Sequence, residues 1–419
     1  MNHISKAVDD SLGKKPVGHR KPKPDTSSTE KMKAVTWQGK RKMEVSVVPK
    51  PMITHAEDAI IKVTACSVCS GSDGHIYAGE IPTMDKGYIV GHECMGVIES
   101  KGAAVNNFKE GDRVVVAFDI ACGKCSQCQK QQFTGCEQTN NSKLADQFYG
   151  HAPAGLFGYS RLMGDHDGSQ AEYVRVPFAD TNCLKVPDDV PDEKALYLSD
   201  VLCTALHATV MGEVSEGDTV GIWGLGPIGL CTALWCKLKG AKRIVGIDLV
   251  PERLALAKSV AGIEVVDRTG LSSQQLVDKL TEIEPLGFDT AIEAVGFRFP
   301  MSTKHKIARA AGLETDTPEL IDECLTCIKQ YGRVSIIGDY AGYANMFPVG
   351  KIMFKHCTVR SGQAPVQRYW SYVLEKIQDG TIDPTFMITH KLDSLDDIPL
   401  AYEKLDKKED GYIKIFVRP

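Results

Sequence analysis

The chain has 419 residues, a formal net charge of −5, 43% hydrophobic and 25% charged residues. That length suits two domains of ordinary size, and the mild acidity gives no electrostatic reason to expect nucleic acid or an anionic membrane as partner. No apolar run approaches the roughly 20 residues that span a bilayer. The 14 cysteines sit in a large chain without a secretory apolar stretch, which favours reduced thiols in the cytoplasm over a disulfide framework.

Residues 1–31 hold KKPVGHRKPKPDTSSTE and almost no apolar periodicity, so they read as a disordered N-terminal extension. Asp9 and Asp10 argue against a targeting peptide. Order is expected from about residue 32. AVTW (34–37) and MEVSVV (43–48) read as a hairpin, followed by AIIKVTAC (59–66), GVIES (96–100), RVVVAF (113–118) and AEYVRVP (171–177). Short strands punctuated by Gly and Pro predict a β-barrel-like first domain over 32–195. From about residue 196 strands alternate with helices: 219–223, 243–247, 263–266, 288–291 and 333–337. That alternation predicts an α/β domain with a doubly wound parallel sheet over 196–355. Residues 297–322 read as a long connection, usually functional or disordered at such length. Residues 356–419, ending in YIKIFV (412–417), are expected to return to the first domain.

The strand Thr219–Trp223 runs into Gly224-Leu225-Gly226-Pro227-Ile228-Gly229 and then a helical pattern through Lys237. This strand–turn–helix carries the dinucleotide spacing G-x-G-x-x-G. The first glycine makes the turn, the second admits the pyrophosphate, and the third lets helix and strand pack closely. The next strand ends in Asp248, 19 residues past Gly229. A carboxylate there accepts ribose hydroxyl protons and repels a 2′-phosphate, which favours NAD over NADP. A bare structural turn is the alternative.

Cys122, Cys125, Cys128 and Cys136 form C-x2-C-x2-C-x7-C. Four thiolates so spaced can close a tetrahedral shell around a structural Zn²⁺; an iron–sulfur cluster is the rival metal. Cys66 and Cys69, the pair His92-Glu93, and Asp200 are further candidate ligands on three separate segments. A thiolate, an imidazole and a carboxylate would leave a catalytic zinc one open position. Each also has a plainer reading, His92-Glu93 as a hydrogen-bonded turn and Asp200 as a helix N-cap. Met84, Phe118 and Trp370 are apolar candidates for a pocket wall or for core.

Taken together, Gly91-His92-Glu93, the cysteine lobe, GDRVVV (111–116) and GLGPIG (224–229) resemble the zinc-dependent medium-chain alcohol dehydrogenase superfamily from about Lys33 to Val417. YLSDV (197–201), AFDIACGKC (117–125), DGSQAEYVRVP (167–177), SGQAPV (361–366) and the 297–322 insertion look most like its glutathione-independent formaldehyde dehydrogenase group. The resemblance implies a GroES-like catalytic domain and a Rossmann domain, with the site in the cleft between them. It implies two zinc ions per chain and NAD, and reversible hydride transfer with a small alcohol or aldehyde. It makes Cys69, His92 and Asp200 the catalytic zinc ligands and Glu93 the nearby carboxylate. Ser72 and His75 become a proton relay, with a loop-capping pair as the alternative. The cofactor contacts are expected at Gly224, Gly226, Pro227, Ile228, Gly229, Asp248 and Arg253, and the assembly as a homodimer or homotetramer.

One departure stands out. Ser70 and Gly71 both separate Cys69 from Ser72-Asp73, where the family pattern has one residue. Either the extra residue bulges and Cys69 stays a ligand, or the catalytic zinc is weakened or lost, with Cys66 a poor substitute. Two other outcomes keep the fold. An insertion over the adenine end could trap NAD and give a redox-neutral aldehyde dismutase or rearrangement enzyme, or the site could have decayed to leave an NAD- and zinc-binding interaction protein.

Overall fold

Alternate residues of Lys31–Gly39 (β1) are buried at its start, and the strand pairs antiparallel with Lys42–Pro49 (β2) as the hairpin pattern requires. The computed structural model that shows this describes residues 2–15, 30–297, 300–311 and 313–419. It divides into two units, Met1–Cys203 with Ala364–Pro419, and Thr204–Gln363. The divisions fall at 203 and 363, against the sequence expectation of 195 and 355.

The N-terminal extension departs from expectation. Asn2–Leu12 is a helix (α1), so this part of the tail is not disordered. Its charges are partnered on the first unit: Lys6 with Asp85, and Asp9 and Asp10 with Arg161. A composition rule misses such a helix because the contacts that tie its described residues down are ion pairs, which leave no apolar pattern.

In the first unit, Ala59–Cys66 (β3) leads to the short helix Ser72–Tyr77 (α2), then Tyr88–Ile89 (β4), Cys94–Lys101 (β5) and Arg113–Val116 (β6). Asp119–Ile120 (β7) pairs with Gly155–Leu156 (β8), with the helix Lys143–Tyr149 (α3) between them. Tyr173–Val176 (β9) and Cys183–Lys185 (β10) complete this part. Strand β4 extends the first hairpin, giving the order β2-β1-β4.

The helix Val201–Met211 (α4) begins one residue past Asp200 and runs across the division at Cys203 into the second unit. Its parallel strands are Thr219–Trp223 (β11), Arg243–Asp248 (β12), Glu264–Asp267 (β13), Phe288–Glu293 (β14), Ile328–Ile336 (β15) and Thr358–Ser361 (β16). Their order, β13-β12-β11-β14-β15-β16, is the 3-2-1-4-5-6 order of dinucleotide-binding sheets. Pro227–Leu238 (α5) follows β11. The long 297–322 connection is corrected in part: it contains the helix Thr303–Ala310 (α6) and the start of Glu319–Cys327 (α7). His305 of α6 is buried against Glu314, 2.8 Å away, and Asp316 accepts from Ala341 and Gly342 N–H at 2.8 Å each. These buried polar bonds give the segment a fixed path that its hydropathy did not reveal.

The chain then returns. Ile388–Leu392 (β17) and Lys414–Val417 (β18) complete a sheet ordered β10-β6-β5-β3-β18-β17 in the first unit, with β9 also on β3. Among the described residues no helix is long and apolar enough to cross a membrane.

Candidate metal centres and nucleotide turn

The four cysteines of the lobe converge. One sulfur from each of Cys122, Cys125, Cys128 and Cys136 lies within 4.8 Å of the others. Backbone N–H groups of Lys124 and Cys125 donate to Cys122 Sγ at 3.4 and 3.3 Å, and that of Cys122 donates to Cys136 Sγ at 3.2 Å. Hydrogen bonds from Cys128, Cys136 and these amides pull the Cys122 thiol well below its ordinary value. The Cys122 and Cys136 sulfurs push Cys128 up, and Cys122, with burial, pushes Cys136 up to about 12. One thiolate is favoured and the next is resisted, so four sulfurs this close need a cation to ionise together. That donor set fits a closed tetrahedral zinc shell.

A second cluster gathers Cys69, His92, Glu93 and Asp200, again with one donor atom from each within 4.8 Å of the others. Cys69 stands on the loop before α2, His92 and Glu93 immediately before β5, and Asp200 just ahead of α4. His92 Nε2 lies 3.5 Å from Asp200 Oδ2. Glu93 Oε2 is buried without a hydrogen-bond partner. Burial alone would push the His92 imidazole down, but Asp73, Asp200 and Cys69 overcome it and hold the ring well above the ordinary histidine range. Without a metal, the site attracts positive charge. The Cys69 thiol, the His92 imidazole and the Asp200 carboxylate around one buried point fit Zn²⁺ with a fourth position to spare, while Glu93 beside them is paired with Lys414.

The extra residue after Cys69 is absorbed locally. Gly71 precedes α2 at φ −81° and ψ −91°, and a side chain there would come 3.7 Å from Cys69 Sγ. Gly74 N–H donates to Cys69 O at 3.2 Å and Cys69 N–H to Asp73 Oδ2 at 2.9 Å. The turn lengthens while Cys69 stays beside His92 and Asp200. Cys66 lies opposite Cys94 in the β3–β5 ladder, outside this cluster.

Four supporting residues escaped the sequence reading as members of the site. Asp73 Oδ1 lies 3.1 Å from His92 Nδ1, the carboxylate–histidine arrangement that orients a metal-binding ring. Gln170 Nε2 donates to Asp73 Oδ2 at 3.2 Å, and Tyr402 OH donates to Gln170 Oε1 at 3.0 Å. Lys414, only 1% exposed, donates to Glu93 Oε1 at 2.5 Å and to Val68 O at 3.2 Å. Burial pulls the lysine's pKa down, but Glu93 and Cys69 more than reverse this and leave it raised. Asp73 was visible only as a member of the Ser72-Asp73 pair. Lys414 lies more than 300 residues from Glu93 in the chain, and no local pattern marks it.

Ser72 opens α2 half-buried, and His75 stands three residues on, buried, with Nδ1 2.9 Å from Glu80 Oε2. Of the apolar candidates, the Phe118 ring stands edge-on to His92 at 6.1 Å. The Trp370 indole donates to Leu198 O at 3.0 Å, two residues before Asp200, and Met84 is fully buried.

In the second unit the glycine turn separates into three roles. Gly224 has φ +93°, and a Cβ there would meet Val295 Cγ2 at 2.6 Å. A Cβ on Gly229 would lie 1.9 Å from Gly224 O. At Gly226 the nearest atoms are Arg253 Nη1 and Cζ at 3.7 and 3.9 Å, ordinary van der Waals distances, so a Cβ would fit without a clash and the glycine is explained by the close approach of a pyrophosphate to the backbone. Pro227 is the first residue of α5, with Ile228 next. Asp248 Oδ2 accepts from Leu225 N–H at 2.7 Å, and Oδ1 from Leu249 and Val250 N–H at 2.7 and 2.9 Å. Arg253 Nη1 lies 3.8 Å from Asp248 Oδ2. Two substitutions separate the roles. Gly229→Ala costs about 1–3 kcal/mol or more through overpacking, seen as a lower denaturation midpoint. Gly226→Ala leaves that midpoint in place and weakens NAD binding, measured by titration of protein fluorescence.

A parallel 3-2-1-4-5-6 sheet with this turn, joined in one chain to two zinc-type donor clusters, defines a zinc-dependent oxidoreductase of the dinucleotide-using class. The comparisons agree. The alcohol dehydrogenase GroES-like domain matches residues 55–188 and the zinc-binding dehydrogenase family matches residues 227–379. A zinc-type alcohol dehydrogenase-like protein of Schizosaccharomyces pombe is 51% identical over 98% of this chain and 96% of its own length. The formaldehyde dismutase of Pseudomonas putida is 34% identical over 90% of this chain and 95% of its own length. Among solved structures, alcohol dehydrogenase TADH from Thermus sp. ATN1 superposes with a TM-score of 0.76 at 32% identity, covering 92% of this chain and 99% of that one. The chain belongs to the zinc-dependent medium-chain alcohol dehydrogenase family, with its GroES-like and Rossmann domains.

Proposed function

We propose that this chain is an NAD-dependent dehydrogenase of small alcohols or aldehydes, with Cys69, His92 and Asp200 holding a catalytic zinc and Cys122, Cys125, Cys128 and Cys136 a structural one. The observation that carries this reading is the convergence of a thiol, an imidazole and carboxylates from three distant segments on one buried point, with Asp73 behind the histidine. When bound, zinc supplies Lewis acidity and NAD accepts the hydride.

The chain's own residues prepare the rest. The Asp200 carboxylate brings negative charge to the point where the donors meet, while Lys414 balances Glu93 beside it. Ser72 and His75 share a face of α2 by their spacing of three. With Glu80 accepting from His75 Nδ1, Nε2 is the ring atom that takes up a proton, and the pair passes the substrate proton outward. Phe118 beside His92 borders the reacting centre on its apolar side. Gly226 leaves room for the pyrophosphate, and Asp248, with Arg253 alongside, meets the ribose and disfavours a 2′-phosphate. Cytoplasmic placement rests on 14 free cysteines. Assembly as a homodimer or homotetramer rests on Val349, Met353 and Phe354, exposed at 65%, 72% and 78% on one short helix.

The test is NADH absorbance on mixing the protein and NAD with a panel of alcohols and aldehydes, with and without chelator, alongside zinc content. Two zincs per chain and chelator-sensitive turnover are expected. A single zinc confined to the cysteine lobe, or silence across a broad panel with both zincs bound, would sink the reading.

A further inference from the structure

We infer that helix α1 straps down the segment 78–91, which joins the proposed relay to the proposed zinc ligand His92, and that Arg161 is the positioning residue that transmits its hold. The segment begins beside Glu80, which holds His75, and ends at Gly91, next to His92. Its position therefore governs where the proposed relay histidine and the proposed ligand His92 stand. Met84, fully buried, lies at its centre.

The segment is not relaxed. Thr83 is a β-branched residue at φ +63° and is fully buried, a conformation that costs on the order of 1–3 kcal/mol and persists only where the surroundings enforce it. The turn at Arg161 enforces it. Leu162 N–H donates to Thr83 Oγ1 at 3.1 Å and Arg161 N–H to Thr83 O at 3.4 Å. The Arg161 side chain, 15% exposed, then reaches both ways. Its Nε lies 3.3 Å from Asp85 Oδ2, and its Nη1 lies 2.6 Å from Asp10 Oδ1 and 3.5 Å from Asp9 Oδ2.

On the helix side, Asp9 is fully buried and also accepts from Lys14 Nζ at 2.9 Å. Lys6 pairs with Asp85 directly. The end of the extension is fixed as well, by Lys15 N–H donating to Asn141 O at 3.0 Å, one residue before the Ser142 N-cap of α3, and by the Lys15–Asp146 pair. A buried aspartate, a nearly buried arginine and a strained threonine in one chain of contacts are costly unless they act together. Arginine suits the central place because its planar fork serves two carboxylates at once.

The structural half of this inference is independent of the proposed chemistry, and the kinetic half rests on the dehydrogenase reading. The experiment uses the full-length double variant Asp9→Ala/Asp10→Ala, followed by amide hydrogen exchange of 78–91 and by zinc content. Exchange in α1 and in 78–91 is expected to speed by about tenfold or more, with β11 and β12 unchanged and both zincs retained. KM for the best alcohol is expected to rise by about three- to tenfold with kcat within twofold. Arg161→Ala should reproduce the effect, and Arg161→Lys should restore part of the protection. Should the double variant fail to fold, Lys6→Ala at the rim of the clamp gives the same test in weaker form. Parental exchange in 78–91 while α1 exchanges freely overturns the strap. Faster exchange with an unmoved KM overturns its influence on substrate. If no alcohol or aldehyde turns over in the parent, the exchange result still decides the strap, and the dehydrogenase reading fails separately.

Discussion

Replacing Asp73 with alanine is expected to lower zinc affinity at the proposed site of Cys69, His92 and Asp200 by about 10- to 100-fold and to leave the proposed four-cysteine site filled. The reason is that one carboxylate serves two of the proposed ligands. Its Oδ1 lies 3.1 Å from His92 Nδ1, and its Oδ2 accepts from Cys69 N–H at 2.9 Å. Loss of the first frees the imidazole to rotate or change tautomer. Loss of the second releases the very turn that accommodates the extra residue after Cys69. Gln170, held by Tyr402 and donating also to Ser67 O, loses one of its two acceptors as well. Asp73→Asn should fall between parent and alanine, because its oxygen can still accept from Cys69 N–H while its charge no longer favours the imidazole. Zinc content after dialysis against graded chelator, with turnover alongside, measures this. Two zincs held at parental affinity in Asp73→Ala would show that the ligands need no such support.

Regular elements were largely legible in the sequence because hydrophobic periodicity reports them directly. The strands β3, β5, β6, β11 and β12 stand where apolar runs or alternation put them, and the turn at Gly224 carries its own spacing. The cysteine lobe was legible for the same reason: its four donors lie within 15 residues and need no tertiary information. The second cluster was legible only as separate candidates. Spacing cannot bring Cys69, His92 and Asp200 together; the resemblance named them as a set, and the fold shows them adjacent. What stayed hidden has a common physical character. Asp73 acts through His92, Lys414 approaches from the last strand, and α1 and α6 are held by ion pairs and buried polar bonds. None of these leaves a periodic signature, because a single long-range polar contact needs one residue in place, not a pattern.

Lys414→Met is expected to destabilise the protein by about 3–5 kcal/mol, since it strips the partner from a buried charge. Lys414 and Glu93 are 1% and 0% exposed and in contact, so neither can turn to water for compensation. The sign of the pH dependence follows from Glu93. Burial pushes its pKa above the ordinary carboxylate value, Lys414 pulls it back, and Asp200 adds a smaller upward push. Without the lysine the pKa climbs further. Between the ordinary carboxylate pKa, where the unfolded chain ionises in water, and the raised folded value, stability falls as pH rises; above it the folded variant holds a bare carboxylate and the loss is complete, and stability recovers as the proton returns on acidification. Denaturation midpoints at pH 5.5 and 8 should therefore show the larger loss at pH 8. The double variant Glu93→Gln/Lys414→Met should recover most of the loss at both, because an amide needs no cation. A greater loss at acid than at alkaline pH, or a double variant no better than the single, would show that Lys414 contributes packing and not charge.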